Sequence, residues 1–137
     1  MQNKQILLII FLITLLILII YTPVTLATNG WSKTYGTAGD NEVRCIVQTS
    51  DGGYILAGFT NSSGAGGYDA WIMKTDAAGD MQWNKTYGGL NNDQAYEIIQ
   101  TSDGDYAFAG TTNMVVATNM YSEWLVKLDS SGNVQWE

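Results

Sequence analysis

The amino-acid sequence predicts an all-β protein built from four-stranded antiparallel meanders and preceded by a hydrophobic N-terminal helix. Three observations lead to this prediction. The sequence repeats itself with a period of about 50 residues, strand-like segments alternate with turn residues, and those segments carry apolar residues on both faces. Because a sheet that is apolar on both faces must be covered on both sides, we expect the repeated units to stack.

The repeat is clearest in a hexapeptide that occurs twice. WSKTYG occupies Trp31–Gly36 and WNKTYG occupies Trp83–Gly88, 52 positions later. QTSDG recurs at the same offset, and a one-residue insertion then raises the offset to 53. The repeat predicts unit one over residues 31–82, unit two over 83–135 and the start of a third unit at 136–137.

Each unit is predicted to contain four strands. Asp51-Gly52 is suited to a two-residue hairpin because both residues tolerate positive φ, and Gly79 is suited to a left-handed turn position. The predicted strands are Glu42–Thr49, Gly53–Thr60, Asp69–Thr75 and Met81–Tyr87 in unit one, and Gln94–Thr101, Asp105–Thr112, Glu123–Leu128 and Asn133 onward in unit two. Consecutive strands of this kind form an antiparallel meander.

Stacked meanders with this period are typical of β-propeller blades. The segments YILAGF and WIM do not alternate apolar with polar residues, as expected of a sheet covered on both faces. We expect WxKTYG to be the last strand of each blade, with its tryptophan wedged where two blades meet. All five tryptophans fall on two repeat positions, and the expected blade-docking residues are Trp31, Trp83, Trp136, Trp71 and Trp124.

The number of predicted blades is too small for a ring. Propellers have about four to eight blades, whereas this sequence supplies about two, with Trp31–Tyr35 as an orphan fourth strand before unit one. The missing blades are expected from further copies of the chain, from another chain or from a longer reading frame. The position of Glu137 inside the repeated hexapeptide favours the longer reading frame.

Residues 1–27 have the layout of a secretory signal peptide. Lys4 precedes an uncharged run of 15 residues, Ile6–Ile20, which is apolar except for Thr14, and the small residues Thr25 and Ala27 suit a cleavage site. An uncleaved membrane anchor is the alternative, because Ile6–Ala27 supplies about the 20 residues that a spanning helix needs. In either form, residues 28–137 are predicted to be exported to the extracellular side or cell surface, with membrane contact only through this segment.

The exported part is acidic, and the whole sequence lacks histidine. Without Lys4, 5 basic residues face 13 acidic ones, a net charge of −8 that opposes binding to nucleic acid or to an anionic membrane surface. The absence of histidine excludes Ser-His-Asp and Cys-His catalysis and histidine-ligated zinc. Cys45 is the one cysteine, so no intrachain disulfide forms, and we expect the thiol to be buried.

Calcium is the one candidate cofactor that the composition suggests. Oxygen-rich loops occur around Asp51, Asp103, Asp40 and Asn91–Asp93, and calcium binds clusters of oxygen ligands. None of these loops has the spacing of an EF-hand, and turns favour Asp and Asn without any metal. We therefore expect no cofactor and no metal site.

Glycosylation and glycan binding are the remaining candidates. Asn61 and Asn84 begin N-x-[ST] sequons; Asn61 lies in a predicted loop, whereas Asn84 lies in a predicted strand and is expected to be less accessible. Tyr68 and Tyr121 are the best candidates for stacking on sugars, because the loop before the third strand varies between the units. The other aromatic residues occupy repeated positions, which favours packing as their role.

These motifs resemble those of prokaryotic exported β-propeller repeat proteins. The resemblance rests on W-x-K-T-Y-G, D-G-G-Y-x-x-A-G-x-T and D-x-W-x-x-K-x-D-x-x-G-x-x-x-W, and it covers Trp31–Trp136. It implies an architecture and no particular activity. The segments Asp76–Trp83 and Asp129–Trp136 are also similar to the tryptophan-docking motif of quinoprotein propellers, although their turns are one residue shorter and lack the usual threonine before the glycine. That similarity implies packing roles for Trp83 and Trp136 and no redox role.

The sequence therefore predicts an exported cell-surface repeat module that acts in protein interaction or envelope scaffolding, without catalysis. Its expected partners are further blades of the same or another chain, and surface proteins or glycans. The alternative is a fragment of a larger extracellular glycan-binding or hydrolytic protein whose active residues lie in the missing blades. Glycoside hydrolysis needs two carboxylates at a set separation, which 13 acidic residues cannot indicate without geometry.

Overall fold

Eight strands in two antiparallel sheets make up the part of the chain that the computed structural model describes, residues 30–113 and 121–137. The first sheet contains β1 (Asn41–Gln48), β2 (Tyr54–Thr60), β3 (Asp69–Thr75) and β4 (Met81–Tyr87). The second contains β5 (Gln94–Gln100), β6 (Tyr106–Thr112), β7 (Ser122–Leu128) and β8 (Val134–Trp136). The strand order in each sheet follows the chain, so the predicted all-β meanders are confirmed.

The predicted signal peptide or anchor over residues 1–27 lies outside the described residues. The described part contains no helix, and therefore no helix that is long and apolar enough to cross a membrane.

The limits of the strands agree with the sequence prediction to within one residue at the ends that were predicted. Trp31–Tyr35, the orphan fourth strand of the sequence prediction, belongs to no ladder in the described part, so it is not a strand of either sheet.

The sheets are out of phase with the sequence repeat. The second hexapeptide, Trp83–Gly88, begins unit two of the sequence, yet Trp83–Tyr87 is paired with β3 as part of the first sheet. The first sheet thus extends from Asn41 to Tyr87, and the second from Gln94 to Trp136. This arrangement agrees with the prediction that the hexapeptide supplies the last strand of each meander.

The turn between β1 and β2 is longer than the two-residue hairpin predicted at Asp51-Gly52. Gln48 pairs with Tyr54, which leaves residues 49–53 in the connection. Gly52 N–H donates to the Thr49 carbonyl at 2.9 Å, and Gly53 N–H donates to the Asp51 carboxylate at 3.0 Å. The Asp51 carboxylate therefore accepts the Gly53 N–H in place of a carbonyl of the β1–β2 ladder, as short polar side chains do in turns. Gly52 has the expected positive φ of 83°.

The main core lies between the two sheets. The first sheet contributes Ile55, Ala57, Ala70 and Ile72, all completely buried. The facing residues of the second sheet are Ala95, Ile98, Tyr106, Phe108, Trp124, Val126 and Leu128. A smaller cluster of Leu56, Trp71 and Met73 lies on the opposite face of the first sheet, where Tyr35 and Tyr54 pack against it. The first sheet is thus apolar on both faces, as its lack of alternation predicts.

A glycine in the second strand of each sheet permits the first strand to bulge. The β1–β2 register shifts between Val43 and Cys45, and the β5–β6 register shifts at the equivalent place. A Cβ on Gly58 would lie 1.8 Å from the Glu42 carbonyl oxygen, and a Cβ on Gly110 would lie 1.9 Å from that of Gln94. Only glycine allows this close backbone approach.

We predict that Gly110→Ala lowers the free energy of unfolding by about 2 to 3 kcal/mol, because the backbone of β5 must move to admit the methyl group. Gly89→Ala is the matched control, since no atom lies within 4 Å of the added Cβ, and its effect should stay within about 0.5 kcal/mol. Urea unfolding followed by circular dichroism measures both. Equal effects of the two substitutions would contradict the proposed role of the bulge.

Candidate interaction surfaces

The repeated hexapeptide docks onto a turn of the following sheet. The Trp83 ring lies so close to Gly132, in the β7–β8 turn, that a Cβ there would be 2.9 Å from the indole. Lys85 Nζ donates to Asn133 Oδ1 at 2.8 Å, and Tyr87 OH donates to the Gly132 carbonyl at 2.7 Å. Burial raises the pKa of the Tyr87 phenol. Three side chains on one face of β4 therefore contact the same turn, the one between β7 and β8.

The first hexapeptide makes the same contacts one sheet earlier. We call Trp31–Gly36 the docking segment. Trp31 lies against Gly79, where a Cβ would be 2.6 Å from the ring, and Tyr35 OH donates to the Gly79 carbonyl at 2.6 Å. Lys33 forms an ion pair with Asp80. The docking segment thus repeats the side-chain contacts of β4 while its backbone joins no sheet in the described part.

The five tryptophans divide into three groups by their burial. Trp71 and Trp124 are buried in the third strand of each sheet, Trp124 packing edge-on against Phe108 at 5.3 Å between ring centroids. Trp83 is partly buried and packs against the core between the sheets. Trp31 and Trp136 are half exposed, at 46% and 50%. Among residues 30–113 and 121–137, Trp136 has no glycine turn to cover, unlike Trp31 and Trp83.

The side of the second sheet that points away from the first is apolar, and none of the described residues covers it. Ile99 pairs with Ala107 and Leu125 pairs with Ala109, so these four side chains share one face, which Trp136 joins beside Lys127. Ile99 is 58% exposed, Leu125 53% and Trp136 50%. We call this the trailing face. Its repeat counterparts in the first sheet, Val47, Ile55, Ala57, Ile72 and Trp83, are buried or partly buried between the sheets.

The side of the first sheet that points away from the second is only partly covered. We call it the leading face. Leu56, Trp71 and Met73 are buried there beside Tyr35 of the docking segment. Ile46 on the same face is 57% exposed, whereas its repeat counterpart Ile98 is 2% exposed between the sheets. Ile98 is therefore covered by the first sheet, whereas no described sheet covers Ile46.

Two of the acidic loops bind lysine. Lys74, which is buried in β3, donates to Asp51 Oδ2 at 2.8 Å, and Lys127 in β7 donates to Asp103 Oδ2 at 2.7 Å. These hydrogen bonds hold the pKa of Asp51 and of Asp103 well below the usual range. These ion pairs link the β1–β2 turn to β3 and the β5–β6 turn to β7. Across the described ranges, no group of three or more acidic or cysteine side chains is arranged to hold a metal ion.

A pair of buried carboxylates holds the loops at one edge of the sheets. Asp93 accepts hydrogen bonds from Gly89 N–H at 2.8 Å and from Asn113 N–H at 3.1 Å. Asp69 accepts one from Ala65 N–H at 3.3 Å, while its other oxygen is buried without a partner in the described part. Burial raises the pKa of Asp69, and the neighbouring Asp93 raises it further. The burial of Asp69 was not predictable from the sequence, because an Asp at the start of a strand gives no sign of burial.

The modification and glycan candidates lie at separate places on the surface. Asn61 is exposed, as predicted, and its Oδ1 accepts from Asp40 N–H at 2.7 Å. Asn84 is also exposed, which corrects the prediction that its strand would shield it; β4 is the outermost strand, and Asn84 points away from the second sheet. Tyr68 packs on Phe59 and donates to Asp40 at 2.9 Å. Tyr121 is exposed and is not brought together with Tyr68 in any described cluster.

Cys45 is less buried than predicted. Its thiol is half-buried on the face of β1 that meets the second sheet, 3.8 Å from the Ile98 carbonyl oxygen. Partial burial raises the pKa of the thiol, which makes it a poor nucleophile at neutral pH. The residue packs as a small apolar group at the rim of the core.

We predict that Trp83→Ala lowers the free energy of unfolding by about 2 to 4 kcal/mol, because the ring covers Gly132 and part of the core. Trp136→Ala is the matched control at the equivalent repeat position, and its effect should be below about 1 kcal/mol. Urea unfolding at protein concentrations low enough to keep the chain monomeric measures both. Equal losses would contradict a docking role for Trp83.

We predict that Asp51→Asn makes the free energy of unfolding depend less steeply on pH in acid. The folded-state pKa of Asp51 lies below the unfolded value of about 3.9. Its stabilising effect is therefore present above about pH 4 and is lost as the pH falls through the folded-state pKa. Urea unfolding between about pH 5 and pH 2 measures the slope. Glu123→Gln, an exposed acid in no described ion pair, is the control, and an unchanged slope in Asp51→Asn would refute the prediction.

The geometry thus places two open faces at the two ends of a stack of sheets. Each face carries residues whose repeat counterparts are covered inside the molecule. Neither a protein-family profile nor any curated protein matches this chain at a significant level.

Proposed function

We propose that this chain is an exported, cell-surface repeat module of the β-propeller type that acts in protein interaction or envelope scaffolding and not in catalysis. The observation that carries the proposal is the trailing face. Ile99, Leu125 and Trp136 are each exposed by half or more on one side of the second sheet. Exposed apolar groups that lie together mark interaction sites more often than chance surface residues do.

The repeat itself supports an interaction role for this face. Stacked repeats need a terminal unit with a polar outer face to stay soluble alone. The trailing face instead keeps the apolar residue types that the first sheet uses to bind the second, with Ile99 in the place of Val47 and Leu125 in the place of Ile72. A surface that preserves the composition of an internal interface is suited to the same kind of contact.

Three of the carboxylates in the described part have structural roles, which supports the proposal of a module that does not act in catalysis. Asp51 and Asp103 are engaged by lysines, and Asp93 accepts two backbone N–H groups. A general base must reach a substrate proton, which these hydrogen-bonded carboxylates are not free to do. The hydrophobic Ile6–Ile20 segment after Lys4 favours export.

Labelling in intact cells tests this proposal. In full-length chains with Cys45→Ala, single cysteines are introduced by Ser131→Cys, Leu125→Cys or Val134→Cys, and cells are treated with a membrane-impermeant maleimide. Leu125 and Val134 have similar exposure, 53% and 46%, but lie on opposite faces of the second sheet. We expect rapid labelling at residues 131 and 134, and slow labelling at residue 125 because a partner covers the trailing face.

Two results would contradict the proposal in different ways. Labelling of residue 131 only after the cells are lysed would exclude export. Labelling of residue 125 in intact cells as fast as residue 134 would exclude a partner on the trailing face. Labelling of each purified, urea-unfolded variant corrects for differences in intrinsic thiol reactivity.

A further inference from the structure

A groove crosses the contact between the two sheets at the edge where β1 and β5 begin. Its volume is about 550 Å³, within the range of about 300 to 1,000 Å³ that small-molecule sites occupy. We call it the inter-sheet groove, and its lining includes Asp40, Asn41, Glu42, Phe59, Tyr68 and Gln94. We propose that the inter-sheet groove binds a neutral saccharide. This inference rests on the proposed cell-surface function and names a glycan as one of the partners.

Hydrogen bonds and aromatic contacts hold the side chains of the groove in place. Tyr68 OH donates to Asp40 Oδ2 at 2.9 Å, and the Tyr68 ring packs edge-on against Phe59 with 5.1 Å between the ring centroids. Glu42 Oε1 accepts from Arg44 Nε at 2.7 Å. Side chains that are already held in one position lose little conformational freedom when a ligand binds.

The groove presents hydrogen-bonding atoms that the fold does not use. Asp40 Oδ1 and Glu42 Oε2 have no hydrogen-bond partner among the described residues. Gln94 Oε1 accepts from Tyr96 OH at 3.1 Å, and the Gln94 amide nitrogen remains as a donor in the described part. A hydroxyl group donates one hydrogen bond and accepts others. Two carboxylate acceptors and one amide donor therefore suit the hydroxyl groups of a sugar ring.

Two tyrosine rings supply the apolar surface that a sugar ring also needs. Tyr68 is partly exposed in the groove, and Tyr96, beside Gln94, is 36% exposed. A tyrosine offers a flat apolar ring together with a polar hydroxyl. The C–H groups on one face of a pyranose ring can pack on such a ring while its hydroxyl groups reach the carboxylates.

The charges around the groove favour a neutral ligand over a charged one. Asp40 and Glu42 repel carboxylate, sulfate and phosphate groups. A cationic ligand would take a position over the aromatic rings, but the chain itself fills that position. The Arg44 guanidinium lies 5.2 Å from the centre of the Phe59 ring and 5.6 Å from that of Tyr96.

The second repeat shows that the sheet does not require the two carboxylates of the groove. Asn92 and Gln94 occupy the repeat positions of Asp40 and Glu42. β5 nevertheless pairs with β6 with the same register shift as β1 with β2. The carboxylates at positions 40 and 42 are therefore available for a ligand, and amides at these positions are compatible with the fold.

A saccharide array tests this proposal. The full-length chain with Cys45→Ala and Ser131→Cys, in mild detergent, carries a fluorescent maleimide at residue 131, at the opposite end of the strands from the groove. The array displays neutral oligosaccharides of glucose, mannose, galactose, rhamnose and N-acetylglucosamine. Polygalacturonate and chitosan oligomers are the anionic and cationic comparisons. We expect binding to at least one neutral series and none to polygalacturonate.

Matched variants locate the binding site. Asp40→Asn and Glu42→Gln introduce the residue types of the second repeat, and each should weaken binding about tenfold because a charge-assisted hydrogen bond is lost. Glu123→Gln removes an exposed carboxylate outside the groove and should leave the affinity unchanged. Tyr68→Ala should also weaken binding about tenfold, whereas Tyr121→Ala, at the same repeat position, should not. Circular dichroism checks that each variant is folded.

Three results would overturn this inference. They are no binding to any neutral oligosaccharide, equal binding to polygalacturonate, and equal effects of Asp40→Asn and Glu123→Gln. A preference for chitosan oligomers would identify a cation site and would also overturn it.

These outcomes are distinguishable from those of the cell-labelling experiment. If residue 131 is labelled in intact cells and residue 125 is protected, the proposed interaction function stands with a protein partner even when no saccharide binds. If residue 131 is labelled only after lysis, export is excluded, whereas the affinity of the groove for a saccharide is still measured on the array.

Discussion

The packing of a tryptophan ring over a glycine turn is the contact on which the arrangement of the sheets depends. Gly132 has a φ of 77°, which allows the tight turn, and its lack of a side chain leaves room for the Trp83 ring. Tyr87 and Lys85 then bind the polar groups that the ring does not cover. The glycine thus satisfies a backbone requirement and a packing requirement at once, and no other residue type meets both.

This contact explains why the sequence repeat and the sheets are out of phase. β4 belongs to the first sheet by its backbone and to the second by its side chains. A strand with both connections links consecutive sheets more firmly than a loop would, because its conformational entropy is already lost on joining the first sheet. The unit that is repeated is therefore the contact between sheets, and the hexapeptide is the part of the sequence that encodes it.

Most of the fold was predictable from the sequence because strand and turn preferences act locally. The strands and the left-handed positions of Gly52 and Gly79 were predictable from turn residues alone. The length of the β1–β2 turn was not, since the Asp51 carboxylate takes a backbone donor from the ladder and then binds Lys74 from another strand. The accessibility of Asn84 depends on β4 being an outermost strand, and the exposure of the trailing face depends on how many sheets lie beyond it. Neither is a property of nearby residues.

The open ends follow from the physics of repeats. A repeated interface has two complementary sides, and every unit must carry both for an inner unit to be covered. Ile98 is buried while Ile46 is exposed, and Ile72 is buried while Leu125 is exposed, although each pair occupies one repeat position. The same residue types thus contribute to stability inside the stack and cost solubility at its ends. Apolar residues at the two ends of the stack stabilise the fold only when they are covered, so any partner that bound there would raise the free energy of unfolding.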